Sequence, residues 1–159
     1  MAPEAQIFAV KVLNQRGGGK IRDVINGIRY VLLKQKEMKI RIVNISIGTL
    51  PHKKDPEDEL LLFWVERLWD AGLVVVTAAG NKGPKEGSVT IPGNSRKVIT
   101  VGADEELGKK YSGCGPTGDC IKKPDLVVPG NRIYSCNYLY PVRSLMPIFR
   151  KPGLLWQLR

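Results

Sequence analysis

The sequence predicts an α/β fold in which a mostly parallel sheet is covered by helices on both faces. Short runs of β-branched and apolar residues alternate along the chain with segments whose apolar residues recur every three or four positions. Strand, helix, strand, helix, strand in that order gives right-handed crossovers, and therefore parallel strands. A chain of 159 residues, of which 43% are hydrophobic, is long enough to form one such core.

Five segments have the composition of strands. The first ends at the turn Gly17-Gly18-Gly19, and the third, Leu73 to Ala78, is the apolar run expected of a strand buried on both faces. The predicted strands cover residues 6–13, 40–47, 73–78, 97–102 and 126–128.

Two segments between these strands have helical periodicity. The first runs to about Lys36, and its apolar stripe consists of Ile21, Val24, Ile25, Ile28 and Leu32. The second begins with acidic residues over 55–59, which the helix macrodipole favours, and it ends at Gly72. Its predicted buried face consists of Leu61, Trp64, Val65 and Leu68.

The charge and hydropathy patterns do not predict a nucleic-acid or membrane partner. The net charge is +10, but the basic residues are scattered apart from short pairs such as Lys53-Lys54, so we interpret them as a solvated surface. No apolar run reaches the roughly 18 residues that a membrane span needs. No cationic-then-apolar leader opens the chain either, and the compartment is not predicted.

Three cysteines, Cys114, Cys120 and Cys136, do not form a recognisable metal site. Zinc would need a fourth ligand, and the single histidine, His52, lies far away in sequence. We therefore predict no metal and free thiols. A disulfide between Cys114 and Cys120 is the alternative.

The carboxyl end of the third strand carries the most informative pattern. The apolar run stops at Ala78-Ala79-Gly80 and is followed by Asn81, whose side-chain amide is a strong neutral donor. Small residues there allow another group to approach the backbone. The second strand ends in the similarly small Ser46-Ile47-Gly48. Because ligands bind at the carboxyl ends of parallel strands, these two ends predict one cleft with an oxyanion-binding amide.

The sequence does not support the other binding and catalytic motifs that we considered. Gly17-Gly18-Gly19-Lys20 is similar to a phosphate loop, but Ile21 replaces the hydroxyl residue and the upstream glycine is missing. No G-x-G-x-x-G follows the first strand and no G-x-S-x-G elbow is present, which argues against a dinucleotide site and an α/β-hydrolase. We interpret His52, between Pro51 and Lys53, as an exposed loop residue.

Five segments, in order, resemble the middle of subtilisin-like serine peptidases. They are residues 2–13 with 25–28, Val43-Asn44-Ile45-Ser46-Ile47-Gly48, Ala78-Ala79-Gly80-Asn81-Lys82-Gly83, residues 91–93 with 98–103, and Lys123-Pro124-Asp125-Leu126-Val127-Val128-Pro129-Gly130. The resemblance covers about residues 2–137. It implies a subtilisin-like parallel α/β sandwich and peptide-bond hydrolysis by a Ser-His-Asp triad.

The resemblance also implies roles for individual residues. Asn81 would donate its amide to the oxyanion, and Ser46, Ile47 and Gly48 would pair as an edge strand with an extended polypeptide substrate. The pocket for the residue before the scissile bond would be lined by Ala78, Ala79 and Gly80. The Ile91-Pro92 peptide would be cis. The family includes members with structural calcium, but the residues themselves indicate no cofactor.

The departures from the family pattern concern the triad. The chain contains no Asp-Ser/Thr-Gly, His-Gly-Thr-His or Gly-Thr-Ser-Met-Ala segment, and Ser144-Leu145-Met146-Pro147 lacks the context of a nucleophile. We therefore expect an interior fragment of a peptidase domain over residues 1–137, inactive alone, with a non-matching irregular tail over 138–159. The alternative is a non-catalytic module that binds peptides along the Ser46–Gly48 edge.

Overall fold

The computed structural model describes residues 4–51, 55–104 and 111–130, together with three short strands beyond them. The helices are α1 (Ile21–Lys34) and α2 (Pro56–Asp70). The strands are β1 (Ile42–Ile45), β2 (Ile47–Gly48), β3 (Val74–Ala78), β4 (Ile99–Asp104), β5 (Leu126–Pro129), β6 (Tyr134–Cys136), β7 (Leu145–Pro147) and β8 (Trp156–Gln157).

Four strands form a parallel sheet in the order β1-β3-β4-β5. Two smaller pairs accompany it, a parallel pair of β2 with β8 and an antiparallel pair of β6 with β7. The predicted parallel sheet with helices is thus confirmed, and four of the five predicted strands form within two residues of their expected limits. The second of these is interrupted at Ser46, which separates β1 from β2.

Both described helices pack on the same face of the sheet. Residues from α1 and α2 form one buried cluster with Val75 of β3 and Ile45 of β1. On the opposite face Ile42, Val74 and Leu126 are exposed, and no helix covers them among the described residues. The sequence explains the helix limits: Asp55 caps α2 by accepting a hydrogen bond from the N–H of Glu57 at 2.9 Å, and Gly72 follows the helix with φ of 85°.

The first predicted strand, residues 6–13, is wrong, since the structure forms no ladder there. Val10, Val12 and Leu13 pack against the core, while Ile7 is 91% exposed. The composition favours a strand, but a strand also needs a hydrogen-bonded neighbour, and a cavity separates this segment from β1.

The structure also bears on the predicted cis peptide and on the cysteines. The Ile91-Pro92 peptide is cis, as the family resemblance implied. Cys114 and Cys120 are free, which contradicts the alternative of a disulfide between them. No described helix is long and apolar enough to cross a membrane, and no group of acidic, histidine or cysteine side chains in the described parts could hold a metal. His52 and Ser144 lie outside the described residues.

Candidate functional site

The carboxyl end of β3 leads into a backbone turn that is fixed by remote segments. The N–H of Ala79 donates to the carbonyl of Val101 at 2.9 Å, and the Ala79 carbonyl accepts from the N–H of Thr90 at 3.0 Å. The Gly80 carbonyl accepts from the N–H of Gly113 at 3.0 Å. Ala79 is only 1% exposed, so these bonds are shielded from water and hold the turn in one conformation.

Glycines make this close packing possible. Gly80 has φ of 102°, a conformation that side chains with a Cβ rarely adopt. A Cβ on Gly113 would lie 2.2 Å from the Ala79 carbonyl oxygen. The loop over residues 111–115 therefore lies directly against the turn at Ala79 and Gly80, and that approach requires glycine.

Thr90 borders the predicted pocket, although the sequence analysis did not select it. A Cβ on Gly80 would meet Thr90 Cγ2 at 2.7 Å and Thr90 Oγ1 at 2.8 Å. The Thr90 hydroxyl also donates to the Ala79 carbonyl at 3.3 Å. The side chain thus fills the space beside Gly80. Sequence reasoning missed it because nothing in the Thr90-Ile91-Pro92 stretch indicates which side chain turns towards β3.

Asn81 directly follows the turn at Gly80. Its Oδ1 is shielded from solvent and has no partner among the described residues. No described group pairs with its side-chain N–H either. The Asn81 amide is therefore not engaged by the described residues and is able to bond to a ligand.

The Ser46–Gly48 segment joins the same site through residues 88–93. Thr49 and Ile91 form an antiparallel bridge, with N–H to carbonyl distances of 3.1 and 2.9 Å. Because Thr90 also bonds to Ala79, the ends of β2 and β3 are tied to one connecting segment. The structure thus brings together the two strand ends that the sequence analysis placed in one cleft.

The edge of β2 is paired in the structure. Ile47 and Gly48 align in parallel with Trp156 and Gln157 of β8. Ser46, between β1 and β2, is exposed, and its Oγ accepts a hydrogen bond from the Asn44 side chain at 3.2 Å. This edge is therefore able to accept an extended strand.

An ion pair between a buried lysine and a partly exposed aspartate supports the loops behind the turn. Lys123 Nζ donates to Asp125 Oδ2 at 2.6 Å and to the Val98 carbonyl at 2.8 Å. Asp125 Oδ2 also accepts from the N–H of Thr100 at 2.6 Å. Burial by itself would raise the pKa of Asp125, but the hydrogen bonds from Lys123 and Thr100 outweigh it and hold the pKa below its usual value.

Comparison with known proteins gives a consistent result. The family model described as "Subtilase family" matches residues 1–148. Serine protease AprX of Bacillus subtilis (strain 168) is 38% identical over 148 residues, covering 84% of this chain and 33% of that protein. Subtilisin of Bacillus sp. (strain TA39) is 31% identical over 149 residues, covering 85% of this chain and 34% of that protein.

Solved structures agree in fold. Sphericase matches with a TM-score of 0.70 and 27% identity, over 86% of this chain and 47% of that chain. The S41 psychrophilic protease matches with a TM-score of 0.68 and 27% identity, over 84% and 46%. The chain thus spans about a third of the length of the two relatives named above and just under half of these two structures.

Proposed function

The chain belongs to the subtilase family of serine proteases, and from this premise we propose that it supplies the oxyanion and substrate-pocket segments of a peptidase site. The single observation that carries the proposal is the state of Asn81. The residue follows a turn at Gly80 whose backbone is held by hydrogen bonds to Val101, Thr90 and Gly113, and its side-chain amide makes no hydrogen bond to another described residue. An amide that extends from a fixed backbone and is not engaged elsewhere is able to donate to a developing oxyanion.

The rigidity of the turn supports this role for Asn81. An oxyanion donor acts in the transition state only if it needs no reorganisation when the charge develops. Ala79 and Gly80 are bonded to Val101, Thr90 and Gly113, so the position from which Asn81 extends is fixed by three separate segments.

The same turn supports a small pocket for the residue before the scissile bond. Ala78, Ala79 and Gly80 present little side-chain volume, and Thr90 occupies the space beside Gly80. We infer that Thr90 limits the pocket to small or narrow substrate side chains, because a larger one would compete with its methyl group.

The Ser46–Gly48 edge is proposed to hold the substrate backbone. Parallel pairing of Ile47 and Gly48 with β8 supports the capacity of this edge for strand addition. A substrate would use the same backbone groups and would therefore have to displace β8.

Catalysis by this chain alone is not part of the proposal. The three triad segments of the family are missing from the 159 residues, and an oxyanion donor without an activated nucleophile does not cleave a peptide. A non-catalytic peptide-binding module is the second candidate, and the β2–β8 pairing favours it. It predicts peptide binding by the isolated chain that does not depend on Asn81.

The test is a chimera in which residues 4–130 replace the matching segment of serine protease AprX. Asn81→Ala should lower kcat by about 10²–10³, or about 2.7–4 kcal/mol, with little change in KM. This magnitude is that of the oxyanion-hole asparagine of subtilisin, a relative of this chain, and does not come from the present geometry.

Asn94→Ala is the matched control. Asn94 Oδ1 is likewise shielded and has no partner among the described residues, so both substitutions remove an amide of the same kind. Asn94→Ala should leave kcat within about threefold of the parent chimera. Equal kcat values for the two variants, together with a lower melting temperature for Asn81→Ala, would show that Asn81 only stabilises its turn.

A further inference from the structure

The strand that forms one edge of the candidate site already has a partner from the same chain. β2 is not part of the four-stranded sheet, and it pairs in parallel with β8. Ile47 lies opposite Trp156, and Gly48 lies opposite Gln157. The edge on which a substrate is proposed to pair is therefore occupied by a segment from the carboxyl-terminal part of the chain.

One side of β2 is taken by another segment, so a single side is left for an added strand. The N–H of Thr49 donates to the Ile91 carbonyl at 3.1 Å, and the Thr49 carbonyl accepts from the N–H of Ile91 at 2.9 Å. Because the backbone groups of successive strand residues alternate in direction, those of Gly48 point to the opposite side. β8 lies on that side. A substrate strand would need the same donor and acceptor on Gly48, and the two would compete.

The register of the pair assigns the backbone groups of β8 that face β2. In a parallel pair, a residue whose groups point across bonds to the two residues that flank its opposite number. Gly48 lies opposite Gln157, so its N–H is directed at the Trp156 carbonyl. The N–H of Trp156 is in turn directed at the Ser46 carbonyl, whereas the N–H of Gln157 points away from β2.

The pairing is short, and a short pairing is reversible. β2 and β8 align over two residue pairs, compared with four between β1 and β3 and four between β4 and β5. A segment of the same chain is nevertheless presented to β2 at an effective concentration on the order of millimolar. β8 thus closes the edge to dilute peptides. A substrate that also fills the pocket at Ala78, Ala79 and Gly80 gains contacts with which to displace it.

The sequence around β8 suits a strand contact. Residues 153–159 contain no proline, so each of them retains a backbone N–H for pairing. Leu154, Leu155 and Trp156 form a short apolar run, which is consistent with an extended segment. Pro152 and Gly153 precede this run, as expected where a strand begins after a break.

We propose that β8 is an intramolecular pseudosubstrate, which occupies the Ser46–Gly48 edge and excludes extended polypeptides until it is displaced. The inference rests on the proposed role of this edge in holding substrate. It assigns regulation of the site to the chain itself, because the fraction of molecules in which β8 has left β2 sets the apparent affinity for substrate.

Amide hydrogen exchange in the full 159-residue chain tests the contact and needs no catalytic activity. Trp156→Pro removes the N–H directed at Ser46, and it should speed exchange of the Gly48 N–H about tenfold or more. The Thr49 N–H, which bonds to Ile91, should exchange at the parent's rate and serves as the internal reference. Equal exchange of Gly48 in the parent and in Trp156→Pro would overturn the proposal.

Two variants of β8 are matched controls. Gln157→Pro removes an N–H that points away from β2, so exchange of Gly48 should stay within about threefold of the parent. Trp156→Ala keeps the N–H and should stay within about the same range. An effect of Trp156→Ala as large as that of Trp156→Pro would show that strand pairing does not hold the segment, which contradicts the assignment.

Peptide binding measures whether β8 closes the edge. The probe is a fluorescein-labelled peptide with the sequence of residues 153–159. In fluorescence anisotropy it should bind the Trp156→Pro chain about tenfold more tightly than the parent, because this variant leaves the edge free. Equal affinities for the two proteins would show that β8 does not compete, and the proposal would fail.

The chimera of residues 4–130 with serine protease AprX relates the contact to catalysis. It does not contain β8, so the same peptide, without its label, should raise KM and leave kcat within about twofold. Inhibition that lowers kcat without raising KM would overturn the assignment as a pseudosubstrate. A chimera without activity would count against the proposed function alone, because the exchange and anisotropy measurements do not depend on activity.

A second copy of the chain is the other source of such a strand. If β8 paired with β2 of a neighbouring molecule, sedimentation would show a dimer that Trp156→Pro dissociates, and exchange of Gly48 would quicken on dilution. We expect a monomer whose Gly48 exchange does not depend on concentration. The opposite result would overturn an intramolecular contact.

Discussion

Lys123 provides the sharpest test of what holds the candidate site together. Its side chain is 2% exposed, and its ammonium group bonds to the Val98 carbonyl and to Asp125. Lys123→Met keeps most of the buried volume and removes the charge and both bonds. The Val98 carbonyl then loses its donor inside the protein, which costs about 1–3 kcal/mol.

The ion pair contributes less to the free energy of unfolding than the burial of Lys123 suggests. Asp125 is 41% exposed, so water can solvate its carboxylate when Lys123 is gone, and the lost pairing is worth about 1 kcal/mol or less. Together the two effects amount to about 1–4 kcal/mol. For a chain of this size that corresponds to a fall in Tm of roughly 2–15 °C.

Asp125→Asn should be at least as harmful, because it leaves the charge of Lys123 buried without a counter-charge. The double variant should therefore be more stable than the sum of the single effects predicts. Thermal unfolding followed by circular dichroism at pH 7 gives the four Tm values of this cycle. Additive effects within about 0.5 kcal/mol would show that the two residues are not coupled.

Lys97→Met is the comparison for a solvent-accessible pair. Lys97 bonds to Asp70 at 2.8 Å, but both side chains are more than 40% exposed. Its loss should leave Tm nearly unchanged. If Lys97→Met and Lys123→Met lowered Tm equally, burial of Lys123 would not be the cause.

Two further predictions concern the same region. Acidification between about pH 4.5 and pH 2 should lower the free energy of unfolding of the parent more than that of Asp125→Asn, as measured by urea titration. The reason is that folding lowers the pKa of Asp125. The stabilisation from its carboxylate is therefore present above the unfolded-state pKa, about 3.9, and is lost as the pH falls through the folded-state pKa. Gly80→Ala should lower Tm by roughly 5–15 °C, because φ is 102° at this position and the added Cβ would meet Thr90. Gly72→Ala is the control, since φ is 85° there but the space is open, and it should lower the free energy of unfolding by only about 1 kcal/mol. Equal falls in Tm for the two variants would exclude the contact with Thr90 as a cause.

The parts of the fold that follow local patterns could be predicted from the sequence. The apolar stripe of α1, the acidic start of α2 and the unbroken run of β3 each contain their own periodicity, and all three elements form. Leu32 is partly buried and packs against the core as the stripe predicted, and Val31 beside it is buried as well.

The wrong or missed predictions concern residues whose structure depends on segments distant in sequence. Residues 6–13 have the composition of a strand, yet their state depends on whether a neighbour pairs with them. Thr90 and Lys123 are equally invisible in the sequence. Nothing in the pair Lys122-Lys123 indicates that the second lysine is buried against Val98, and only the fold brings Thr90 beside Gly80.

The candidate site and the stability of the domain are therefore coupled through segments distant in sequence. Gly113 bonds to Gly80, and the adjoining Gly115 bonds through its N–H to the Lys123 carbonyl at 2.8 Å. Asp125 in turn bonds to Thr100 of β4, whose neighbour Val101 holds Ala79. A change at Lys123 reaches the turn before Asn81 by two routes, along the loop over 113–115 and along β4. In the chimera, Lys123→Met should consequently lower kcat at temperatures where the protein is still folded, although the side chain of Lys123 bonds to Val98 and Asp125 and not to Asn81. An unchanged kcat would mean that the bonds from Thr90, Val101 and Gly113 hold the turn without support from Lys123.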